Sequence, residues 1–369
     1  MGRVRIGEEH FNIVLDGDAG APPLLVSNSL GTNLTLWDDQ MAALTRHFRV
    51  IRYDSRGHGQ SDAPRGPYSI WRLGRDALNI LDALEIEKSH FLGLSMGGMV
   101  GLWLLANAPD RIGRAVLANT AASMPPPDHW NMRIRMAREN GMAAIAPMVA
   151  NLWFPIGFRD RNPSAVARVQ AMLAATPAHG YAACCAALRD MDQRETIRSI
   201  RKPVLVVAGR HDQSTPADRS RAVSDAIPGA QFLLLDTGHL SNIEAPEAFT
   251  AAAVEFLSVK EKVEKKSKGK ADKPARNTAP PPEAVAPEAP KQKSARKADA
   301  KGKPAQATKT KATKTKAPKT KATKASAGAK KPARASGAKA KAAKKPAKKF
   351  ARKTAPRKVA KKKAGKKKR

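Results

Sequence analysis

"HFLGLSMGGMV", residues 90–100, places a single serine among glycines directly after an apolar run. The run reads as a buried strand and the residues after Ser95 as an apolar helix, so Ser95 stands in the turn between them. A turn this tight excludes bulky neighbours, and Gly93, Gly97 and Gly98 supply the room. Such a strand–turn–helix junction lifts a serine hydroxyl above a sheet edge. It also aims the first helical N–H, that of Met96, where an oxyanion would form. Taken alone, the same string also suits a tight turn with a capping serine.

Working outward, short apolar runs alternate with helical patterns. Strands are expected in "HFNIVLDG", "PPLLVSNS", "FRVIRYD", "SHFLGLS", "RAVLANT", "KPVLVVAGRHD" and "AQFLLLDTGH". Helices are expected in "LTLWDDQMAALTRH", "IWRLGRDALNILDALEI", "MGGMVGLWLLANAP", near "PADRSRAVSDAI", and in a last segment ending around Leu257. This alternation predicts an α/β domain over residues 1–258, with a mostly parallel sheet covered by helices on both faces. The rhythm breaks over 123–200, which reads as an inserted helical cap entered through Pro125–Pro127.

A serine of ordinary acidity is a poor nucleophile and needs a base that a carboxylate orients. Asp212 in "GRHDQSTP" and His239 in "DTGHLSNIEAP" each follow a predicted strand, as Ser95 does. The order Ser95, Asp212, His239 is that of serine hydrolases built on open α/β sheets, whose ligands bind at the carboxyl ends of the strands. Individually the aspartate could cap a helix and the histidine could sit on the surface. Three such residues in order, each at a strand end, point to a catalytic triad. A second oxyanion donor is expected from the loop "SNSLGTNLTLW", as the Leu30 N–H, with Gly31 permitting the turn. His58, in "RGHGQSD", is expected to brace a loop near the site. His211 is expected to point away from Asp212, and His10, His47, His90, His129 and His179 to have surface or packing roles. No metal-ligand spacing, dinucleotide fingerprint or P-loop is present, so neither metal nor cofactor is expected.

Charge is strongly segregated. Residues 1–258 hold 26 basic and 26 acidic side chains, whereas residues 259–369 hold 41 basic and 6 acidic ones. The net charge of +35 therefore belongs to the C-terminal part. With Phe350 its one aromatic residue, that part has too little apolar surface to offset its ordering entropy and is expected to be disordered by itself. Cys184 and Cys185 are adjacent and poorly placed to pair. No signal peptide or run of about 18 apolar residues is evident, so a cytoplasmic protein is expected.

Together, "YDSRGHGQSD", "GLSMGGMVG", "GRHDQSTP" and "GHLSNIEAPEAF" resemble the α/β-hydrolase superfamily over residues 1–258. Within it, the chain is most similar to 3-oxoadipate enol-lactonases of the β-ketoadipate pathway, a resemblance supported by "SNSLGTNLTLWDDQ". The resemblance implies that Ser95 attacks a lactone carbonyl, with His239 as base, Asp212 fixing its tautomer, and Leu30 and Met96 holding the oxyanion. An anionic lactone calls for a basic group, and Arg133 or Arg135 of the cap are candidates, with Trp130 or Trp153 as an apolar wall. Another carboxylester, lactone or carbon–carbon bond hydrolase would use the same triad. The C-terminal part resembles histone H1-type tails, which implies association with DNA, RNA or another polyanion through phosphates rather than base reading. A chain that is mainly a polyanion binder would need none of the three triad residues.

Overall fold

The computed structural model describes residues 2–259. The basic segment expected to be disordered thus lies outside the described residues.

Eight strands form one sheet: β1 (Gly2–Ile6), β2 (Glu9–Asp16), β3 (Pro23–Ser27), β4 (Arg49–Tyr53), β5 (Ser89–Leu94), β6 (Ile112–Ala118), β7 (Val204–Gly209) and β8 (Gln231–Leu235). Their order is β1-β2-β4-β3-β5-β6-β7-β8. The pairs β1–β2 and β2–β4 are antiparallel, and the rest of the sheet is parallel. The central strands β5, β6 and β7 are buried almost throughout, as expected of strands covered on both faces. Strand β1 is the element that sequence patterning misses. Two of the five residues of its "GRVRI" are arginines and it lies largely exposed at the sheet edge, with only Val4 and Ile6 packed against the core.

The order of the strands fixes the site. From β3 the chain crosses to β4 on one side, then returns past β3 to β5 and continues through β6, β7 and β8. Right-handed crossovers place the helix Asp38–Leu44 on one face and the helices Ile70–Ala83, Met96–Asn107 and Ala217–Ala226 on the other. The direction reverses between β3 and β5, and a crevice opens there at their carboxyl ends. The pairing of Ser27 with Gly93 sets the ends of the two strands side by side. Loop 28–33 and the Ser95 turn consequently face the same crevice.

Between β6 and β7 lie four helices, Pro127–Trp153, Ile156–Arg161, Pro163–Ala175 and Ala178–Asp190. The first is broken at Gly141, whose φ of 72° lies outside the helical region. Cys184 and Cys185 are buried and unpaired in the last. No single helix among the described residues is long and apolar enough to cross a membrane.

The glycines around Ser95 are spaces for other backbone. A Cβ at Gly97 would overlap the Ser27 carbonyl, and one at Gly98 would overlap the Thr120 side chain. Neither neighbour is the far end of a flexible side chain, so the strain cannot be relieved locally. Gly97→Ala is expected to cost about 1–3 kcal/mol or more and to lower the melting temperature by at least about 2 °C. Gly2→Ala, where no atom lies within 4 Å of the added carbon, is the matched control and should leave it unchanged.

Candidate active site

Ser95 sits between β5 and the helix Met96–Asn107 with φ 56° and ψ −114°, a left-handed conformation rare outside glycine. Besides the Met99 N–H on its carbonyl at 3.0 Å, two bonds from outside its own turn hold it there: its N–H donates to the Ala118 carbonyl at 2.8 Å, and its carbonyl accepts from Thr120 Oγ1 at 2.9 Å. Both partners lie at the end of β6, so the neighbouring strand locks the turn. Ser95 lines a cavity of about 220 Å³ together with Leu30, Trp130, Arg133, Trp153 and His239.

His239 follows β8, and its Nδ1 lies 2.8 Å from Asp212 Oδ2, with both side chains almost wholly buried. Nδ1 therefore carries a proton toward the carboxylate, leaving Nε2 on the opposite side of the ring. Asp212 follows β7 and is densely bonded. Oδ1 accepts the Ser214 and Thr215 N–H groups at 2.8 and 2.9 Å, and Oδ2 also accepts Asn119 Nδ2 at 3.1 Å. Burial acts to raise the pKa of this carboxyl. His239, the Thr215 N–H and Asn119 outweigh it and hold Asp212 below the ordinary aspartate value.

The His239 loop is fastened on every side. The His239 N–H donates to the Trp153 carbonyl at 2.8 Å, and the Gly238 carbonyl accepts from Asn119 Nδ2 at 3.1 Å. The Gly238 N–H donates to Glu244 Oε1 at 2.9 Å. Trp153 also presses its ring against the imidazole, with centroids 5.3 Å apart. The N–H groups of Leu30 and Met96 have no hydrogen-bond acceptor among the described residues. Both belong to residues at the crevice, one beside the cavity and one at the start of the helix after Ser95.

Arg133 and Arg135 separate. Arg133 is 5% exposed and lines the cavity, with its guanidinium against the Trp130 and Tyr181 rings at 5.3 and 5.5 Å. It donates to the Tyr181 hydroxyl, its Nε has no partner, and no carboxylate pairs with it among the described residues. Arg135 is exposed and does not line the cavity, so its expected role in substrate binding is corrected. Two residues along a helix rotate a side chain by about 200°, which carries it to the other side. Sequence reading missed His129 and Arg219 in the cavity wall, as well as Asn119, Thr215 and Glu244 around Asp212 and the His239 loop. Only Thr215 had a local signal, a hydroxyl three residues after an aspartate ahead of a helix. His211 turns to Asp236, 2.9 Å away, and leaves Asp212 to His239. No cluster of three or more metal-ligating side chains occurs among the described residues.

The family profile described as the alpha/beta hydrolase fold matches residues 22–246. The chain belongs to the α/β-hydrolase family. Among its relatives is 3-oxoadipate enol-lactonase 2 of Acinetobacter baylyi, 41% identical over 242 residues that cover 66% of this chain and 91% of the relative. The crystal structure of the enol-lactonase from Burkholderia xenovorans LB400 is 41% identical, with a TM-score of 0.69, and covers 70% of this chain and 100% of that one. A hydrolase from Pseudomonas aeruginosa PA01 is 47% identical, with a TM-score of 0.67, over 68% of this chain and 95% of that one. In this α/β-hydrolase the crevice between β3 and β5 is thus where hydrolytic chemistry is to be sought.

Glu244 makes the His239 loop sensitive to pH. Burial, aided by the charge of Asp212 and opposed by the Gly238 N–H, pushes its pKa up to about 7. The folded state therefore binds this proton more tightly than the unfolded chain does, where a glutamate titrates near 4.5. Glu244 subtracts stability progressively as the pH rises through that window. Glu244→Gln keeps an acceptor for Gly238 and removes the charge. It should raise the melting temperature at pH 8 by about 2–4 °C, taking about 1 kcal/mol to survive solvent screening, and leave it unchanged at pH 4.

Proposed function

We propose that the chain is a serine hydrolase that opens 3-oxoadipate enol-lactone to 3-oxoadipate. The observation that carries this reading is the buried Arg133 guanidinium, which lines the Ser95 cavity with no carboxylate to pair it among the described residues. A buried cation is costly unless an anion joins it, and the carboxylate of an anionic lactone would do so. The names of the relatives point to the same substrate class.

His239 Nε2 takes the Ser95 proton as Oγ bonds to the lactone carbonyl carbon. Asp212 stabilises the resulting imidazolium. The Leu30 and Met96 N–H groups hold the oxyanion. As the tetrahedral intermediate collapses, the ring carbon–oxygen bond breaks and His239 protonates the departing enolate, which becomes the 3-oxo group by tautomerisation. Water, deprotonated by His239, then cleaves the acyl-serine ester, returns the proton to Ser95 and releases the second carboxylate. Trp130 and Trp153 wall the apolar part of the substrate.

A second, independent reading concerns residues 259–369. Their excess of 41 basic over 6 acidic side chains favours association with the phosphates of nucleic acid, without sequence preference.

Hydrolysis of the enol-lactone, followed by its ultraviolet absorbance, tests the first reading. Wild type should turn it over rapidly and Ser95→Ala not at all. Arg133→Ala should raise KM for the lactone at least about tenfold while leaving a neutral aryl ester little affected. An enzyme that cleaves the aryl ester through Ser95 but ignores the lactone would sink the substrate assignment and spare the nucleophile. For the second reading, full-length protein should bind random duplex DNA with log K falling steeply against log salt. The 1–258 truncation should lose that binding, and a flat salt response of the full chain would remove the idea.

A further inference from the structure

The loop carrying the Leu30 N–H is shaped from three directions. Within the loop, the Ser29 carbonyl accepts Thr32 N–H at 3.2 Å and Thr32 Oγ1 at 2.8 Å. Because a trans peptide is planar, fixing the Ser29 carbonyl sends the Leu30 N–H of the same peptide the opposite way. The next two peptides are fixed from outside the loop. The Gly31 N–H donates to His58 Nε2 at 2.8 Å, and the Gly31 carbonyl accepts Thr176 Oγ1, at the end of a cap helix, at 3.0 Å. Gly31 has φ +79°, a backbone conformation that a side chain would strain.

His58 is wholly buried on the loop after β4. Its Nδ1 lies 3.1 Å from the Arg56 carbonyl, which can only accept, so Nδ1 bears the proton and Nε2 is the bare acceptor that Gly31 requires. Burial lowers the pKa of the imidazole, and the opposing influence of the Arg56 carbonyl and Asp54 does not restore it. Arg56 is itself immobilised. Asp76 receives its Nε and Nη2 at 2.7 Å each, and Glu9 receives its Nη1 at 2.6 Å. A chain of fixed groups therefore runs from the helix Ile70–Ala83 through Arg56 and His58 to Gly31.

We propose that His58 is a positioning residue for the oxyanion hole. In its Nδ1–H tautomer it holds the Gly31 N–H and so aims the Leu30 N–H at the oxygen of the reacting carbonyl. This rests on the reading of Leu30 and Met96 as oxyanion donors. The alignment matters most once charge has developed on that oxygen, so its loss lowers kcat and spares KM.

The test compares His58→Leu, which removes the acceptor, with His58→Gln, whose amide oxygen reaches the place of Nε2. On a neutral aryl ester, His58→Leu should lose about 10²–10³-fold in kcat with KM within about threefold, and His58→Gln should recover to within about tenfold of wild type. An aryl trifluoromethyl ketone adds Ser95 Oγ to its carbonyl and leaves an oxyanion. Its affinity should fall in His58→Leu in step with kcat, while the affinity for the product acid stays constant. Equal kcat in the Leu and wild-type proteins, or a loss confined to KM, overturns the proposal. Should His58→Leu not fold, His58→Gln decides: kcat within about tenfold of wild type supports the role, and a larger loss overturns it. If Ser95→Ala binds the ketone as tightly as wild type, the nucleophile reading has failed. If Ser95 is required but His58→Leu binds the ketone unchanged, only the role of His58 has.

Discussion

Backbone meets backbone where β3 ends beside the Ser95 turn. Gly97 approaches the Ser27 carbonyl so closely that no side-chain carbon fits between them, and Gly93 in turn abuts the Gly97 carbonyl. That approach sets β3 and β5 in register, brings the Leu30 loop alongside Ser95, and forces the serine into a conformation it would not adopt alone. Strain of this kind persists because surrounding bonds over-determine it. Here they come from Ala118 and Thr120 at the end of β6, so three adjacent strands share in holding one side chain.

Around this frame the charges are arranged with opposite economies. Asp212 is buried but saturated, with two N–H groups, an amide, a hydroxyl and an imidazole on its two oxygens. It remains ionised because every donor stabilises the charged form. Arg133 is buried and left incomplete, supported by two ring faces and a phenol where a carboxylate would be stronger. Saturation suits a group that must keep one state through a reaction. Incompleteness suits a group whose counterion arrives with the ligand.

The features legible in the sequence were those with local signatures. Alternating strands and helices gave the sheet, and Ser95, Asp212 and His239 each announced themselves at a strand end flanked by turn residues. Strand β1 escaped because its alternation of two apolar residues, Val4 and Ile6, with two arginines is too short to stand out in the sequence. Arg133 and Arg135 could not be told apart without knowing which side of a kinked helix faces the crevice, and Gly141 breaks the periodicity that would have said. Asn119 and Arg219 reach the site from separate segments, across many residues of chain. No spacing in a linear string encodes such a meeting.

The hydrogen bond from the His239 N–H to the Trp153 carbonyl joins the proposed base to the last turn of a cap helix. That carbonyl is one of the acceptors a helix leaves unsatisfied at its C-terminus, so the base loop serves as the cap of the helix. The roof of the pocket and the His239 imidazole are thereby parts of one mechanical unit. A roof that swung aside to admit substrate would drag the imidazole with it, so entry by the mouth of a standing pocket is the route that keeps the base in place. Transplanting a roof from a relative, to change what the pocket accepts, would likewise retune the base unless the graft delivered an equivalent carbonyl to the same point.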